Sequence, residues 1–367
     1  MRPIPTLLCA LGLCLPALAS AGDRTRTPPR LRGDVELRYS GEIGFERLVD
    51  RVEPHVARVE VARSTRQQHR LALSGMFAPY HGIAVGIELP VTMHDRRVWG
   101  AANDMRFDPD TGAPTMVGAS ELPAEVVAGA VSSRNHVGFG DLRLLARGVA
   151  FAQEGVPGRL APATLAFDLA LRLPTGGNHD RVRDNGTAGP GVGGAGLQIG
   201  LTAARRIEGV EPYIAISYTL DGPYKQALVD ASGAAVEAPV ASTDPTPDAE
   251  GRWTLDPADR FDLRLGVELL ATRNLVTDTE VRFDVGAGLG YVGPGDVSVG
   301  RHLPAPLAST VGHRAVHGEH LVADVGFGLR IRPVQYVEVR VDAGGGWSGP
   351  RTVERIGEQT YSVETAP

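Results

Sequence analysis

Val281-Arg-Phe-Asp-Val-Gly-Ala-Gly-Leu-Gly-Tyr291 alternates without a break, placing Val281, Phe283, Val285, Ala287, Leu289 and Tyr291 on one face and Arg282, Asp284, Gly286, Gly288 and Gly290 on the other. A period of two marks an extended strand, because successive side chains leave opposite faces. The same pattern runs through Phe261 to Leu269, with Asp262, Arg264, Gly266 and Glu268 on the polar face. In Leu165 to Leu173 the alternate face carries Ala166, Asp168, Ala170 and Arg172. The pattern recurs at 319–332 and 335–343, and less cleanly at 55–63, 69–79, 82–93, 138–152, 190–204 and 210–221. These segments exceed the ~5–6 residues usual for soluble strands and match the ~9–11 that a tilted strand needs to cross a bilayer's hydrocarbon.

The connections alternate in length. Short ones carry turn residues: Pro79 to Gly82, Gln153 to Leu160, Arg205 to Gly209, Thr272 to Val276 and Arg332 to Val334. Long ones fall between them at roughly 94–137, 175–189, 222–257 and 293–317. The predicted fold is all-β: a transmembrane antiparallel up-and-down β-barrel of about 12 strands with short periplasmic turns and long extracellular loops. Eleven strands are counted from 55–63 onward, and 352–365 supplies the twelfth, an even number that brings both termini to the periplasmic side. The barrel then occupies 55–367, and 22–54 is an N-terminal arm, a plug or an extra strand. Trp99, Trp253, Trp347 and Tyr291 fall toward the long-loop ends and Tyr80 and Tyr336 near the short turns, as interfacial girdles do. A soluble two-layer sandwich is the competing architecture, since alternation alone does not say which face meets lipid.

Composition narrows the classes. With 43% hydrophobic and 22% charged residues over 367 positions, the chain is not a disordered one. Its 46 Gly, 27 Pro and 5% aromatic content favour turns and small-residue positions over an all-helical fold. Thirty-six Arg stand against one Lys, Lys225, in a chain of net charge −6, so no nucleic-acid partner is expected. Arg2, the apolar run Leu7 to Leu18 and the site Ala19-Ser20-Ala21 read as a signal peptide over 1–21, cleaved on export to the outer membrane. Cys9 and Cys14 both lie inside it, leaving the exported chain without thiols or disulfides. Beyond Ala21 no stretch approaches the ~20 apolar residues of a spanning helix.

Gly138-Phe-Gly-Asp-Leu-Arg-Leu144 opens one strand, Leu169-Ala-Leu-Arg-Leu-Pro-Thr-Gly176 closes the next, and Tyr80-His-Gly-Ile-Ala-Val-Gly-Ile-Glu-Leu-Pro90 forms an earlier hairpin. These stretches resemble the Gram-negative outer-membrane barrels grouped as transporters of the meta-pathway of phenol degradation. They are also similar to barrel modules found ahead of peptidoglycan-binding domains in larger surface proteins. The resemblance is specific over roughly 70–174 and architectural beyond it. It implies outer-membrane lipid as surroundings, barrel-assembly machinery during insertion, and passage of small organic solutes. Such barrels end in an aromatic residue, whereas this chain reads Tyr361-Ser-Val-Glu-Thr-Ala-Pro367.

With the apolar face toward lipid, the lumen receives Arg143, Asp168, Arg172, Asp262, Arg264, Glu268, Arg282, Asp284, Asp324, Arg330, Glu338 and Arg340, with Arg58, Glu60, Glu88, Asp141, Glu280 and Asp342. Buried in a narrow lumen these charges must pair, because an unpaired interior charge costs several kcal/mol. Gly286 and Gly326, with Gly288, Gly290 and Gly328, leave a stretch of wall without side chains where a solute path is expected. Gly191, Gly193 and Gly196 match the dinucleotide-binding glycine spacing, but no helix follows, so they read as a flexible loop entering a strand. His313, His317, Glu319 and His320 straddle Gly312 and Gly318, and Asp108-Pro-Asp-Thr-Gly112 lacks the later acidic ligands of a calcium loop, so no metal site is assigned. No cofactor is expected. No nucleophile elbow, Ser-x-x-Lys pair or His-Glu-x-x-His helix is present, which argues against an enzyme. Three readings stand: a passive channel or transporter for small solutes, a closed structural or interaction barrel of the outer membrane, and a secreted soluble β-protein or barrel enzyme.

Overall fold

The computed structural model describes residues 33–50, 59–101, 105–107, 114–116, 131–132, 135–151, 163–177, 189–227, 252–274, 279–298, 314–334, 337–349, 351–355 and 360–365. The signal segment 1–21, Arg58, Asp108 to Gly112, His313 and Tyr336 lie outside them. No helix occurs among the described residues.

Eleven long strands form one closed sheet: β1 (Gly33–Asp50), β2 (Val59–Tyr80), β3 (Ile83–Ala101), β4 (Arg143–Phe151), β5 (Thr164–Arg172), β6 (Gly196–Ala204), β7 (Val210–Asp221), β8 (Arg260–Asn274), β9 (Thr279–Val292), β10 (His320–Val334) and β11 (Val337–Ser348). Each pairs antiparallel with the next. The ring closes through β11 and β1, which run parallel from Val35↔Val337 to Ser40↔Asp342. Alternating directions return to the start only for an even number of strands, so a ring of eleven needs one parallel contact.

Three differences from the expected twelve follow. The described part of 55–63 and the segment 69–79 belong to the single strand β2, which runs from Val59 through polar Arg66, Gln67 and Gln68 without a turn residue. The segment 34–49 is a wall strand, β1, and neither arm nor plug. The segment 352–365 divides into Arg351–Arg355 and Thr360–Thr365, the second of which pairs with Glu46–Asp50 above the parallel closure and does not cross the wall. The odd count places the start of β1 at the rim of 81–82 and the end of β11 at the opposite rim, so the two ends of the barrel do not share a side.

One rim carries the connections 81–82, 152–163, 205–209, 275–278 and 335–336, and is called the turn rim below; the loop rim carries 51–58, 102–142, 173–195, 222–259 and 293–319. Gly82 adopts φ 73°, and a side chain there would meet the Val149 carbonyl at 3.0 Å, so the β2–β3 turn requires glycine.

Burial is inverted relative to a water-soluble β-protein. Leu265 is 53% exposed, Leu289 63% and Phe327 59%, whereas Glu268 and Arg340, on the opposite faces of their strands, are each 1% exposed. Most of the buried apolar residues are alanines, namely Ala78, Ala84, Ala166, Ala204 and Ala215. The sheet is closed on itself with its charges inside and has no apolar core between two layers, which removes the sandwich.

Candidate functional site in the lumen

Strand register sorts the inward side chains of β7 to β11 and β1 into rows. Arg282, Arg330, Arg340 and Arg38 stand directly opposite one another on β9, β10, β11 and β1. Like charges directly opposite destabilise a sheet. The arrangement holds because carboxylates flank the row on both sides. Toward the loop rim lie Glu211, Glu268, Asp284 and Asp342 in register, with Gly328 between the last two. Toward the turn rim lie Glu280, Glu338 and Glu36.

Each arginine engages both sides or neighbouring strands. Arg282 pairs with Glu280 and Glu268, and approaches Glu211 at 3.5 Å. Arg330 reaches Glu338 at 2.8 Å and Glu268 at 3.7 Å. Arg340 donates from Nε to Asp342 at 2.7 Å and lies 3.8 Å from Asp284. Arg38 bonds Glu36 at 2.7 Å and approaches Asp342 at 4.0 Å. The space left among Glu268, Arg282, Asp284, Gly328, Arg330 and Arg340 is about 10 Å³, room for at most one water.

The glycine wall is the seat of this lattice. Tyr213, Gly266, Gly286, Gly326 and Gly344 form one register row across β7 to β11. The Tyr213 ring lies across its first members and donates its hydroxyl to Asp284 at 3.1 Å. A side chain on Gly286 would meet Arg264 at 2.8 Å and the Tyr213 hydroxyl at 2.9 Å, and one on Gly328 would meet Asp342 at 2.9 Å. Arg264 passes over Gly288 to reach Asp324 at 3.4 Å. The space vacated by Gly286, Gly288 and Gly328 is filled by charged and aromatic side chains from neighbouring strands.

The other wall is looser. Arg143, its side chain 40% exposed, pairs with Glu88 at 3.0 Å. Arg147 pairs with Asp168 at 2.8 Å, and Arg172 bridges over Gly196 to Asp221 at 2.9 Å. Asp262 lies toward the loop rim with Arg260 at 2.6 Å. Gln198 and Ala170, opposite each other on the inner face of β5 and β6, are partly exposed.

Three sequence motifs meet at the loop rim of this wall. Gly140 donates its backbone N–H to the Pro90 carbonyl at 2.8 Å. Asp141, almost fully buried, accepts from the backbone N–H of Gly176 at 2.9 Å and of Val192 at 2.8 Å. Thr175 Oγ1 accepts from Leu142 N–H at 2.9 Å. A side chain on Gly176 would meet the Gly140 backbone at 2.7 Å, and one on Gly191 would meet the Gly176 backbone at 2.8 Å. Gly191, Gly193 and Gly196 thus belong to a tightly packed mouth segment and not to a flexible loop.

Beyond Met93 the strands β1 to β3 continue with a mixed outward face, on which His69, His94, Gln67 and Arg96 stand among Ile43, Phe45 and Val98. There Asp95 accepts from Arg66 Nε and Nη2 at 2.7 Å each and from Gln68 at 2.6 Å, while Arg97 pairs with Glu46 at 3.2 Å. Burial alone raises the Asp95 carboxyl, but the Arg66 hydrogen bonds and charge, with Arg70 beside them, outweigh it and hold the group well below the usual carboxylate range.

Of the residues expected in the lumen, the structure gathers Arg282, Arg330, Arg340, Glu268, Asp284 and Glu338 into one lattice, joins Arg264 and Asp324 to it through Tyr213, and distributes Arg143, Asp168, Arg172 and Asp262 around the rest of the wall. Arg38, Glu36, Glu211 and Tyr213 were not anticipated. A signal for the lattice exists in the repeat Glu-Val-Arg-Phe-Asp at 280–284 and Glu-Val-Arg-Val-Asp at 338–342, echoed by Glu36-Leu-Arg38. Among the described residues no group of His, Cys, Asp and Glu has the geometry of a metal site. Trp253, expected in an interfacial girdle, is buried in the short pairing of Tyr224–Ala227 with Arg252–Leu255, while Trp347, Tyr291, Tyr218 and Tyr80 are exposed outward near the rims. No protein-family model and no curated protein matches the chain.

Proposed function

We propose that this chain is an outer-membrane β-barrel that acts as a passive channel for small solutes, exported by a signal peptide cleaved after Ala21. One observation carries the reading: a closed barrel that exposes large apolar side chains such as Leu265, Leu289 and Phe327 on its outside and buries charges such as Glu268, Arg282 and Arg340 on its inside. From Val281 to Tyr291 the outward residues of β9 are continuous. Ten residues at ~3.3 Å each on a strand tilted ~40° rise about 25 Å, the height of a bilayer's apolar band. Eleven strands enclose more than the eight whose side chains just fill a barrel. The path runs along β2 to β6, where lumen groups keep water contact, and away from the Arg282–Arg330–Arg340–Arg38 wall.

Detergent extraction and planar-bilayer recording test this. The protein should need detergent, fractionate with the outer membrane and show discrete conductance that Gln198→Trp lowers. A monodisperse, detergent-free periplasmic protein overturns the membrane reading. A second reading, a closed structural barrel, is favoured by the packing around Arg340, which leaves about 10 Å³; absence of conductance above background selects it.

A further inference from the structure

The extension of β1 to β3 past Met93 separates its charges by face. Glu42, Glu46 and Asp95 lie on the inward side, where Asp95 meets Arg66 and Glu46 meets Arg97. The outward side carries no carboxylate among its described side chains: it presents His69, His94, Arg96 and Arg63, with Tyr39, Ile43 and Gln67. The lowest row of this surface is Gly41↔His69↔His94, directly above the outward Tyr39, Leu71 and Met93. Its rings form a continuous platform. Tyr39 stacks on His69 at 6.2 Å between centroids, its hydroxyl 2.8 Å from Nδ1, and His69 lies 6.1 Å from His94. A side chain at Gly41 would lie in ordinary contact with the Tyr39 hydroxyl, at 3.5 Å, and with His69 Nδ1, at 3.7 Å. The next row adds Gln67 and the exposed Arg96, two residues from His94 on the same face.

We infer that this row is a binding site for the phosphorylated headgroup of a glycolipid of the outer leaflet, its acyl chains lying on Leu71, Leu73, Val91 and Met93 below. The inference rests on the membrane reading above. Several features favour a lipid phosphate over a free anion. The donors stand at one height, on the surface that faces sideways into the bilayer, and they continue an apolar surface on which chains can lie. Nε2 of a histidine engaged through Nδ1 points away from Tyr39 and is available to a phosphate oxygen. Arg96, exposed on the same face, adds a positive charge beside the two rings. The described carboxylates of this extension, Glu42, Glu46 and Asp95, are turned to the lumen. Basic groups at a headgroup surface add electrostatic attraction to anionic lipid.

The test uses the full-length protein purified in neutral detergent, incubated with a bisphosphorylated glucosamine lipid and read by native mass spectrometry and thermal melting. The triple variant His69→Gln, His94→Gln, Arg96→Gln should retain the lipid at least tenfold less than the parent and lose the lipid-induced rise in melting temperature. Leu289→Ala, on the far side of the barrel, serves as control and should bind as the parent does. The dephosphorylated lipid should bind the parent as weakly as the bisphosphorylated lipid binds the triple variant, and millimolar inorganic phosphate should not displace the bound lipid. Equal retention by parent and triple variant, or full displacement by inorganic phosphate, overturns the site. A protein that needs no detergent overturns the membrane reading instead, so the two failures are distinguishable.

Discussion

Replacing Arg340 with Met is the sharpest probe of the lumen lattice. Arg340 is 1% exposed and serves two carboxylates, Asp342 at 2.7 Å and Asp284 at 3.8 Å, which face each other across Gly328. Methionine fills most of the stem's volume, so packing changes little. The two carboxylates, however, lose their shared cation while remaining buried. Breaking a buried pair in this way costs about 3–5 kcal/mol, against about 0–1 kcal/mol for a pair bathed in water. Urea unfolding in lipid vesicles, followed by the mobility difference between folded and unfolded barrel on gels, should therefore give an Arg340→Met loss in the upper range. Adding Asp342→Asn removes one of the stranded charges. The double variant should be less destabilised than the sum of the single ones, by about 1–3 kcal/mol. A loss below about 1 kcal/mol for Arg340→Met, with additive behaviour in the double variant, would show that water screens the lattice and that its dryness is not real.

Leu265→Arg, near mid-height of the apolar band and half exposed there, should cost about 2–4 kcal/mol in the same assay; Arg264→Leu, which strips Asp324 and Tyr213 of a partner, should be comparably harmful, and tolerance of either points to the wrong face. Gly288→Ala places a methyl against the Asp324 carboxylate and should destabilise by about 1–3 kcal/mol with no change in single-channel conductance of the molecules that fold. Asp141→Ala removes the acceptor for two backbone N–H groups, so hydrogen exchange at Gly176 and Val192 should rise and the barrel should lose about 1–3 kcal/mol; unchanged protection there refutes the role of Asp141 at the mouth. The carboxyl of Asp95 is depressed in the folded chain, so its contribution is fully present above the ordinary carboxylate range and is lost as pH falls through and below it. Protection factors in 63–69 and 94–100, taken against the intrinsic exchange rate at each pH, should fall on acidification toward pH 2 in the parent and be low already at pH 7 in Asp95→Asn.

Alternation at Phe261 to Leu269 and Val281 to Tyr291 was enough, from the residues alone, to establish extended strands with one charged and one apolar face, since the period-two geometry of a strand is local. The positions of the short connections were legible for the same reason: Gly82 and Arg205 to Gly209 carry turn chemistry within a few residues. Which face turns outward is not a local property, and only closure of the sheet put Leu289 outside and Arg340 inside. The count of eleven was likewise settled by the ring. β1 was ambiguous alone and became a wall strand by having β2 on one edge and β11 on the other, while Thr360–Thr365, with a similar look, paired with the upper end of β1 and with Arg351–Arg355. The lumen shows the division most clearly. Arg282, Arg330 and Arg340 could be named as inward from their strands, but their assembly with Arg38 into a row between carboxylates depends on interstrand register across four strands distant in sequence. That register also turned Gly286 from an apparent gap into the floor beneath Tyr213 and Arg264, because the space above a glycine belongs to whichever neighbour is long enough to reach it.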